Sequence, residues 1–296
     1  MNTTGGLAVA RGIAKGTGWA VAIGVAMYVV AYGWLLVVGD GMVTPSSDPG
    51  APSISLWAAA IPALAAILLA RLVAPRHEPP AAPRQDVPHQ QLVRETWILV
   101  LCAIVFPVLV YGNTQSLWYP LVKVLLLLVL PLVAFRMLRR GAPATRAIPK
   151  AVIWLAPLPA FGVWFVLSEI WPYAQPLPEQ LPDPITLAIS SLLTLLTASV
   201  LEEIFYRGWL QTRLETRYGR WPAILGSSLL FAFMHLGRVQ PDAIGLGLAG
   251  IVSYQGMFGL MLGYLWSRYR NIWIVIAIHV VVNLGYVDML VAAVRG

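Results

Sequence analysis

The sequence has few of the residues on which soluble enzymes and nucleic-acid-binding proteins usually rely. Charged residues make up 11% of the 296 positions, and Cys102 is the single cysteine. One cysteine excludes an internal disulfide and any zinc site built from several thiolates, so Cys102 is interpreted as inert packing. The formal net charge is +7, but the basic residues stand in short segments between apolar runs. This placement is typical of membrane-protein loops and argues against a nucleic-acid partner.

Long apolar runs are abundant instead. Hydrophobic residues account for 58% of the chain, and the mean hydropathy is +0.74. Many runs approach the ~20 residues that a helix needs to cross a bilayer. We therefore predict an all-α fold, a polytopic transmembrane bundle of nine spans surrounded by membrane lipid. The predicted spans are residues 18–39, 54–73, 97–112, 118–135, 151–170, 185–206, 221–236, 243–266 and 272–293.

The basic residues predict how these spans are oriented. With the N-terminus in the cytoplasm, every lysine and arginine except Lys123, Arg238 and Arg295 falls on the cytoplasmic side. This asymmetry follows the positive-inside rule and predicts an outer C-terminus. Lys123 lies within the fourth span, near enough to its outer end for the ammonium group to snorkel to the interface. The protein is expected to be a multi-pass protein of the plasma or inner membrane.

Proline marks a boundary in the first third of the chain. Residues 74–95 contain five prolines, which exclude a regular helix there. We predict that residues 1–95 form an N-terminal transmembrane hairpin with a cytoplasmic linker, and that residues 96–296 form the membrane core. The sequence shows no internal repeat, so it gives no support to an inverted-repeat transporter.

Two adjacent carboxylates stand out in the segment TASVLEEIFYRGWLQTR, residues 197–213. An ionisable residue inside an apolar span costs about 3 kcal/mol on insertion scales, so two together need an explanation. Glu203 and Arg207 are four residues apart and share a helix face. A simple ion pair at a helix end, with Glu202 reaching interfacial water, is one explanation, and a functional site is the other.

Two of the four histidines lie inside apolar spans. His235 ends the sequence FAFMH, with Phe231 one turn before it, and His279 begins HVVVN, with Asn283 one turn after it. The four-residue spacing puts each pair on one helix face. A lone membrane histidine often makes only an interhelical hydrogen bond, so each histidine by itself leaves structure and function open.

The positions of these residues along the chain predict a common depth. Gly219, the expected turn between two antiparallel spans, lies midway between Glu202 and His235, which places those two side chains level. His279 lies ~12 Å into its helix. If residues 208–220 form an amphipathic extension at the surface, all three side chains meet in the cytoplasmic half of the bilayer, between helices.

These residues resemble the three motifs of the CAAX protease and bacteriocin-processing family, also called CPBP or Abi, which includes the type II CAAX prenyl endopeptidases. EExxxR corresponds to Glu202–Arg207, FxxxH to Phe231–His235 and HxxxN to His279–Asn283. The resemblance covers about residues 185–290. It implies an intramembrane protease, a hydrolase that cleaves a peptide bond in a membrane-associated peptide or protein, whether lipidated or held by a C-terminal anchor.

The resemblance also implies a role for each motif residue. Glu202 and His235 would activate the attacking water, and His279 and Asn283 would stabilise the oxyanion of the tetrahedral intermediate. A buried carboxylate is a good general base, and donors aimed at a developing oxyanion are worth several kcal/mol in a low-dielectric site. Supporting roles are expected for Glu203, Arg207 and Phe231.

Three alternatives stay open at this stage. The family has also been described as metalloproteases, and Glu202, His235 and His279 could bind zinc or another divalent metal. The lack of an HExxH sequence favours a metal-free mechanism without a cofactor. A catalytically silent membrane chaperone or immunity protein could keep the same fold. A proton-coupled transporter using the same residues as a relay is the third alternative.

Overall fold

The structure, a computed structural model, describes residues 3–44, 53–75, 87–113, 118–139, 148–170, 172 and 183–285. Its regular structure is helical apart from one antiparallel pair of two-residue strands, β1 (Met42–Val43) and β2 (Ile54–Ser55). The helices, numbered in chain order, are α1 (Thr3–Val38), α2 (Trp57–Leu72), α3 (His89–Leu109), α4 (Trp118–Arg139), α5 (Leu158–Ile170), α6 (Pro184–Tyr218), α7 (Arg220–Phe233), α8 (Pro241–Tyr269) and α9 (Ile272–Leu284).

These helices confirm the predicted helical membrane fold. Among the described residues, five helices are long and apolar enough to cross a membrane: the Thr17–Val38 part of α1, and α3, α4, α6 and α8. Helices α2, α5 and α9 are shorter apolar helices. Each predicted span overlaps one of the nine helices that the described residues form. That all nine cross the bilayer, with the N-terminus in the cytoplasm, stays a prediction.

Helix α3 begins earlier than the sequence suggested. Its first residue is His89, directly after Pro88, the last proline of the linker. The prediction that residues 74–95 are non-helical is therefore wrong from position 89 onward, because nothing beyond Pro88 prevents a helix. The added turns bring Glu95 into the bundle, where its carboxylate is fully buried and pairs with Arg213 of α6 at 2.8 Å.

Helix α6 carries the two adjacent carboxylates and is 35 residues long. Asp183 caps its N-terminus by accepting hydrogen bonds from the backbone N–H groups of Thr186 and Ile185, which hold the pKa of this carboxyl below its usual value. The helix ends at Gly219, whose φ of +83° favours glycine. Gly219 thus forms the turn into α7 that the sequence predicted.

The C-terminal part of α6 is buried within the bundle. The predicted surface extension over residues 208–220 is therefore wrong in its first half, where Gln211 and Arg213 have no exposed surface. Neighbouring helices cover this turn, and Gln211 donates from Nε2 to the carbonyl oxygen of Gly263 on α8 at 2.8 Å. A Cβ atom at position 263 would lie 2.8 Å from the Gln211 side chain, so glycine permits the close approach of α6 and α8.

Two hydrophobic clusters fill the interior. The first joins side chains of α1, α2, α5, α7, α8 and α9, and the second joins those of α3, α4, α6 and α7. Phe258 of α8 packs against both clusters. The N-terminal helices belong to the first: α2 packs on α5 and α8, and Tyr28 of α1 donates to the carbonyl oxygen of Gly256 at 2.8 Å. The polar motif residues lie where the two clusters meet.

Candidate active site

Glu202 and Glu203 point toward different partners, as expected for consecutive residues of a helix. Both side chains are buried, with exposed fractions of 3% and 0%. Glu202 contacts the ammonium group of Lys123 on α4 through Oε1. Glu203 faces Arg207 on its own helix and His279 on α9. Neither carboxylate is exposed. The explanation in which Glu202 reaches interfacial water therefore does not hold.

Glu203 joins α6 to α9 through a single carboxylate oxygen. Its Oε1 lies 3.1 Å from Nη1 of Arg207 and 2.6 Å from Nδ1 of His279. A carboxylate accepts hydrogen bonds, so Nδ1 of His279 carries the proton. This contact fixes the imidazole ring and leaves Nε2 as the atom that can act on a substrate. The predicted Glu203–Arg207 pair is present, but the sequence did not indicate the third member, His279.

His235 lies just beyond the end of α7, in the turn that leads to a short 3-10 segment. Its Nδ1 is 3.0 Å from the carbonyl oxygen of Phe231, one turn earlier. A carbonyl only accepts, so Nδ1 is the donor and Nε2 keeps its lone pair in the neutral ring. The FxxxH spacing thus sets the tautomer of His235.

The Phe231 ring separates the two histidines. Its centroid lies 5.3 Å from that of His235 and 5.8 Å from that of His279, in edge-on contacts. The guanidinium carbon of Arg207 lies 4.4 Å from the centre of the same ring. A cation–π contact of this kind helps a buried guanidinium, since water cannot solvate it. Phe231 therefore spaces the imidazoles and supports Arg207.

Asn283 is held by Ser199, a residue that belongs to none of the three motifs. Its Nδ2 donates to Oγ of Ser199 on α6 at 3.1 Å, and Ser199 Oγ lies 3.5 Å from the carbonyl oxygen of His279. One amide N–H of Asn283 is used in this contact, and the second is available to a ligand. Ser199 therefore orients the asparagine of the HxxxN motif from the opposite helix.

His235, His279 and Asn283 line one pocket. The aromatic rings of Trp164 and Phe258 and three alanines, Ala58, Ala59 and Ala63, complete much of its wall. The alanines belong to α2, so an N-terminal helix forms part of the cavity. Glu202 is not among the residues that line it. The structure thus gathers His235, His279, Asn283 and Phe231 around the cavity, places Glu203 and Arg207 behind His279, and holds Glu202 against Lys123.

Lys123 is the main residue of this region that the sequence interpretation missed. Its side chain is 3% exposed and contacts Glu202, so the prediction that it snorkels to the outer interface is wrong. The reasoning applied to Glu202 also applies to Lys123, because a charged residue inside an apolar run needs a partner. That reasoning signals a buried pair, although periodicity alone does not identify the partner.

The described residues contain no group of three or more histidine, cysteine, aspartate or glutamate side chains placed to hold a metal ion. Of the three ligands that a zinc site would use, Glu202 contacts the Lys123 ammonium. An ammonium group at the carboxylate competes with a divalent cation for the same oxygen atoms, so this contact disfavours Glu202 as a zinc ligand. His235 and His279 both use Nδ1 for their hydrogen bonds, an arrangement that leaves Nε2 of each ring open to either a metal or a substrate.

Comparison with known protein families supports the motif assignment. Residues 184–285 match the family model described as type II CAAX prenyl endopeptidase Rce1-like. The match begins at the first residue of α6 and ends just beyond α9, so it contains all three motifs, whereas α1–α5 lie outside it. It confirms the family resemblance. No curated protein and no solved structure matches the chain.

Proposed function

We propose that this protein, whose segment 184–285 has the Rce1-like type II CAAX prenyl endopeptidase pattern, is an intramembrane endopeptidase. Its substrate would be a membrane-associated peptide or protein. The observation that carries the proposal is the convergence of His235, His279 and Asn283 on one pocket within the helical bundle. Ionisable and amide side chains at membrane depth are expensive to bury, and their convergence on one cavity is expected of a reaction site.

Water activation is assigned to Glu202 and His235. The carbonyl of Phe231 takes the Nδ1 proton of His235, which leaves the Nε2 lone pair to orient a water molecule. Glu202 accepts a proton from that water as the water oxygen attacks the scissile carbonyl carbon. The same proton then passes to the leaving amine as the C–N bond breaks. The step requires the Glu202 carboxylate to reach a water held at His235.

Oxyanion stabilisation is assigned to His279 and Asn283. When His279 is protonated, Nδ1–H binds Glu203 and Nε2–H is free to donate to the oxyanion. The Glu203 carboxylate stabilises this imidazolium, in the way that a buried carboxylate supports the histidine of a hydrolytic triad. Asn283 offers its second amide N–H, while Ser199 holds the first. Such preorganised donors supply much of the rate enhancement in acyl transfer.

We propose a mechanism that needs no metal or other cofactor. The Lys123 ammonium supplies, at Glu202, the positive charge that a metal cation would otherwise provide. Every proton movement described above uses side chains of this chain. The substrate would have to place its scissile bond in a cavity lined by alanine and aromatic side chains together with His235, His279 and Asn283.

Comparative membrane proteomics tests this function. Cells carrying Glu202→Gln should accumulate uncleaved membrane-associated precursors that are absent with the wild-type protein, at equal expression. Glu215→Gln is the matched control, because it also neutralises a glutamate of α6. Glu215 does not line the pocket, and its carboxylate pairs with Arg270 at a distance of 2.6 Å. If both variants accumulate the same precursors, or if neither does, the protein is not a protease that uses Glu202.

A further inference from the structure

Lys123 and Glu202 form a buried ion pair between α4 and α6. Both side chains are 3% exposed, and Lys123 Nζ contacts Oε1 of Glu202. The ammonium nitrogen also lies 5.4 Å from the centre of the Tyr119 ring, one turn earlier on α4. The lysine is thus held between an aromatic face and the carboxylate proposed as general base.

A lysine at this position is unfavourable for folding in a membrane. The flanking sequence, LVKVLLLLV, is otherwise apolar and belongs to a helix long enough to span the bilayer. Burial of an ammonium group is tolerated only when a partner compensates for lost water. The partner here is a proposed catalytic residue, whereas the buried pair Glu95–Arg213, which joins α3 to α6, involves no residue with a proposed role in the reaction.

We propose that Lys123 is a positioning residue for hydrolysis: its ammonium group is the charge partner of the Glu202 carboxylate in the apolar interior and fixes the orientation of that carboxylate. The inference rests on the proposed function, because it assigns Lys123 a role at the same site. A general base must be unprotonated before it can accept a proton from water. An apolar interior favours the neutral acid, and an adjacent cation opposes that tendency.

Other charged and titratable groups near Glu202 do not replace Lys123. Arg207 interacts with Glu202 electrostatically, but its guanidinium is engaged by Glu203 at 3.1 Å and by the carbonyl oxygen of Gly259 at 3.4 Å. Tyr206 on α6, with Tyr119 on α4 and Cys102 on α3 near it, offers no cationic group to Glu202. His279 on α9 is directed at Glu203. Lys123 is therefore the cation in direct contact with Glu202.

Two substitutions separate charge from hydrogen bonding. Lys123→Gln keeps a hydrogen-bond donor but removes the positive charge, and Lys123→Arg keeps the charge. With a peptide spanning the cleavage site of a precursor that accumulates in Glu202→Gln cells, Lys123→Gln should lower kcat by ~100-fold with little change in KM. Lys123→Arg should stay within ~10-fold of wild type. Arg213→Gln, the control at the Glu95 pair, should reduce yield without lowering kcat in the folded fraction.

Infrared difference spectroscopy gives a readout that does not depend on cleavage. Subtracting the spectrum of Glu202→Gln from that of the wild type should show a carboxylate and no C=O stretch of a protonated acid. Lys123→Gln should show that C=O band, and the double variant Lys123→Gln/Glu202→Gln should lose it. A carboxylate signal without any cleavage would refute the proposed protease function and leave the role of Lys123 in ionising Glu202 intact.

Two results would overturn the proposal. One is a protonated Glu202 in the wild-type protein. This result comes from comparing the wild type with Glu202→Gln, so it can be obtained even if Lys123→Gln does not fold. The other is a folded Lys123→Gln protein with a wild-type kcat. In either case the lysine would only neutralise charge within the bundle.

Discussion

Nδ1 of His279 lies 2.6 Å from Oε1 of Glu203, although the two residues are 76 positions apart in the chain. The contact links the EExxxR motif on α6 to the HxxxN motif on α9. Arg207 shares the same oxygen, so one carboxylate serves both a structural cation and an imidazole that lines the pocket. The second glutamate of the motif thus has two separable effects, on folding and on turnover.

Glu203→Gln should impair both properties. The neutral amide leaves Arg207 without its charge partner in the interior, which should reduce the free energy of unfolding by ~3 kcal/mol or more. The folded fraction should also turn over more slowly, because a neutral amide stabilises the His279 imidazolium poorly. Thermal unfolding in detergent and kcat per folded molecule measure the two effects.

Glu95→Gln is the matched control for this experiment. Glu95 is equally buried and pairs with Arg213, yet it does not line the pocket. The Glu95→Gln protein should lose stability to a similar extent as Glu203→Gln and keep the kcat of the wild type. Equal kcat losses in the two variants would mean that Glu203 acts through the fold alone.

Asn283 and Ser199 should differ in how strongly they affect the rate. Asn283→Ala removes a donor to the oxyanion and should slow turnover by ~100-fold, with little change in substrate affinity. Ser199→Ala removes only the hydrogen bond that orients the amide, so its effect should be smaller, ~10-fold. Steady-state kcat and KM for both variants check this order. A larger loss in Ser199→Ala than in Asn283→Ala would contradict the assigned roles.

The sequence predicted the helices of this protein better than the contacts between them. Apolar runs located the nine helices of the part of the chain that the structure describes, and Gly219 marked the turn after α6, because both are local properties of the chain. The pairing of Lys123 with Glu202 and of Ser199 with Asn283 depends on which helices are neighbours. Periodicity identifies the face of a helix, and it carries no information about the partner of that face.

The buried end of α6 illustrates the same limit. Gln211 and Arg213 look like surface residues in the sequence, and a polar stretch after an apolar run usually marks the end of a span. In the structure they are covered: Arg213 pairs with Glu95, and Nε2 of Gln211 donates to the carbonyl oxygen of Gly263. A polar residue can be buried wherever distant parts of the chain supply its partners, and such partners are not visible in a local window.

Membrane topology can be tested with two tags. A tag near Gln85, in the proline-rich linker, and one near Gln180, before α6, should report opposite sides of the membrane, the cytoplasm for the first. Both positions lie outside the described residues. Protease accessibility in sealed and in opened vesicles distinguishes the sides. Finding both tags on one side would contradict the prediction of nine spans and its orientation.

Metal dependence is the last prediction. If Glu202 and His235 activate water without a cation, the purified protein should keep its activity after exhaustive chelation and dialysis, with no stoichiometric zinc by elemental analysis. The Lys123 ammonium at Glu202 favours this outcome, because it occupies a carboxylate oxygen that a metal site would need. The competing zinc site makes the opposite prediction: replacing Glu202, His235 or His279 should lower metal content together with rate. Activity that is lost on chelation and restored by zinc, at about one metal per chain, would refute the metal-free mechanism while leaving the same side chains at the site.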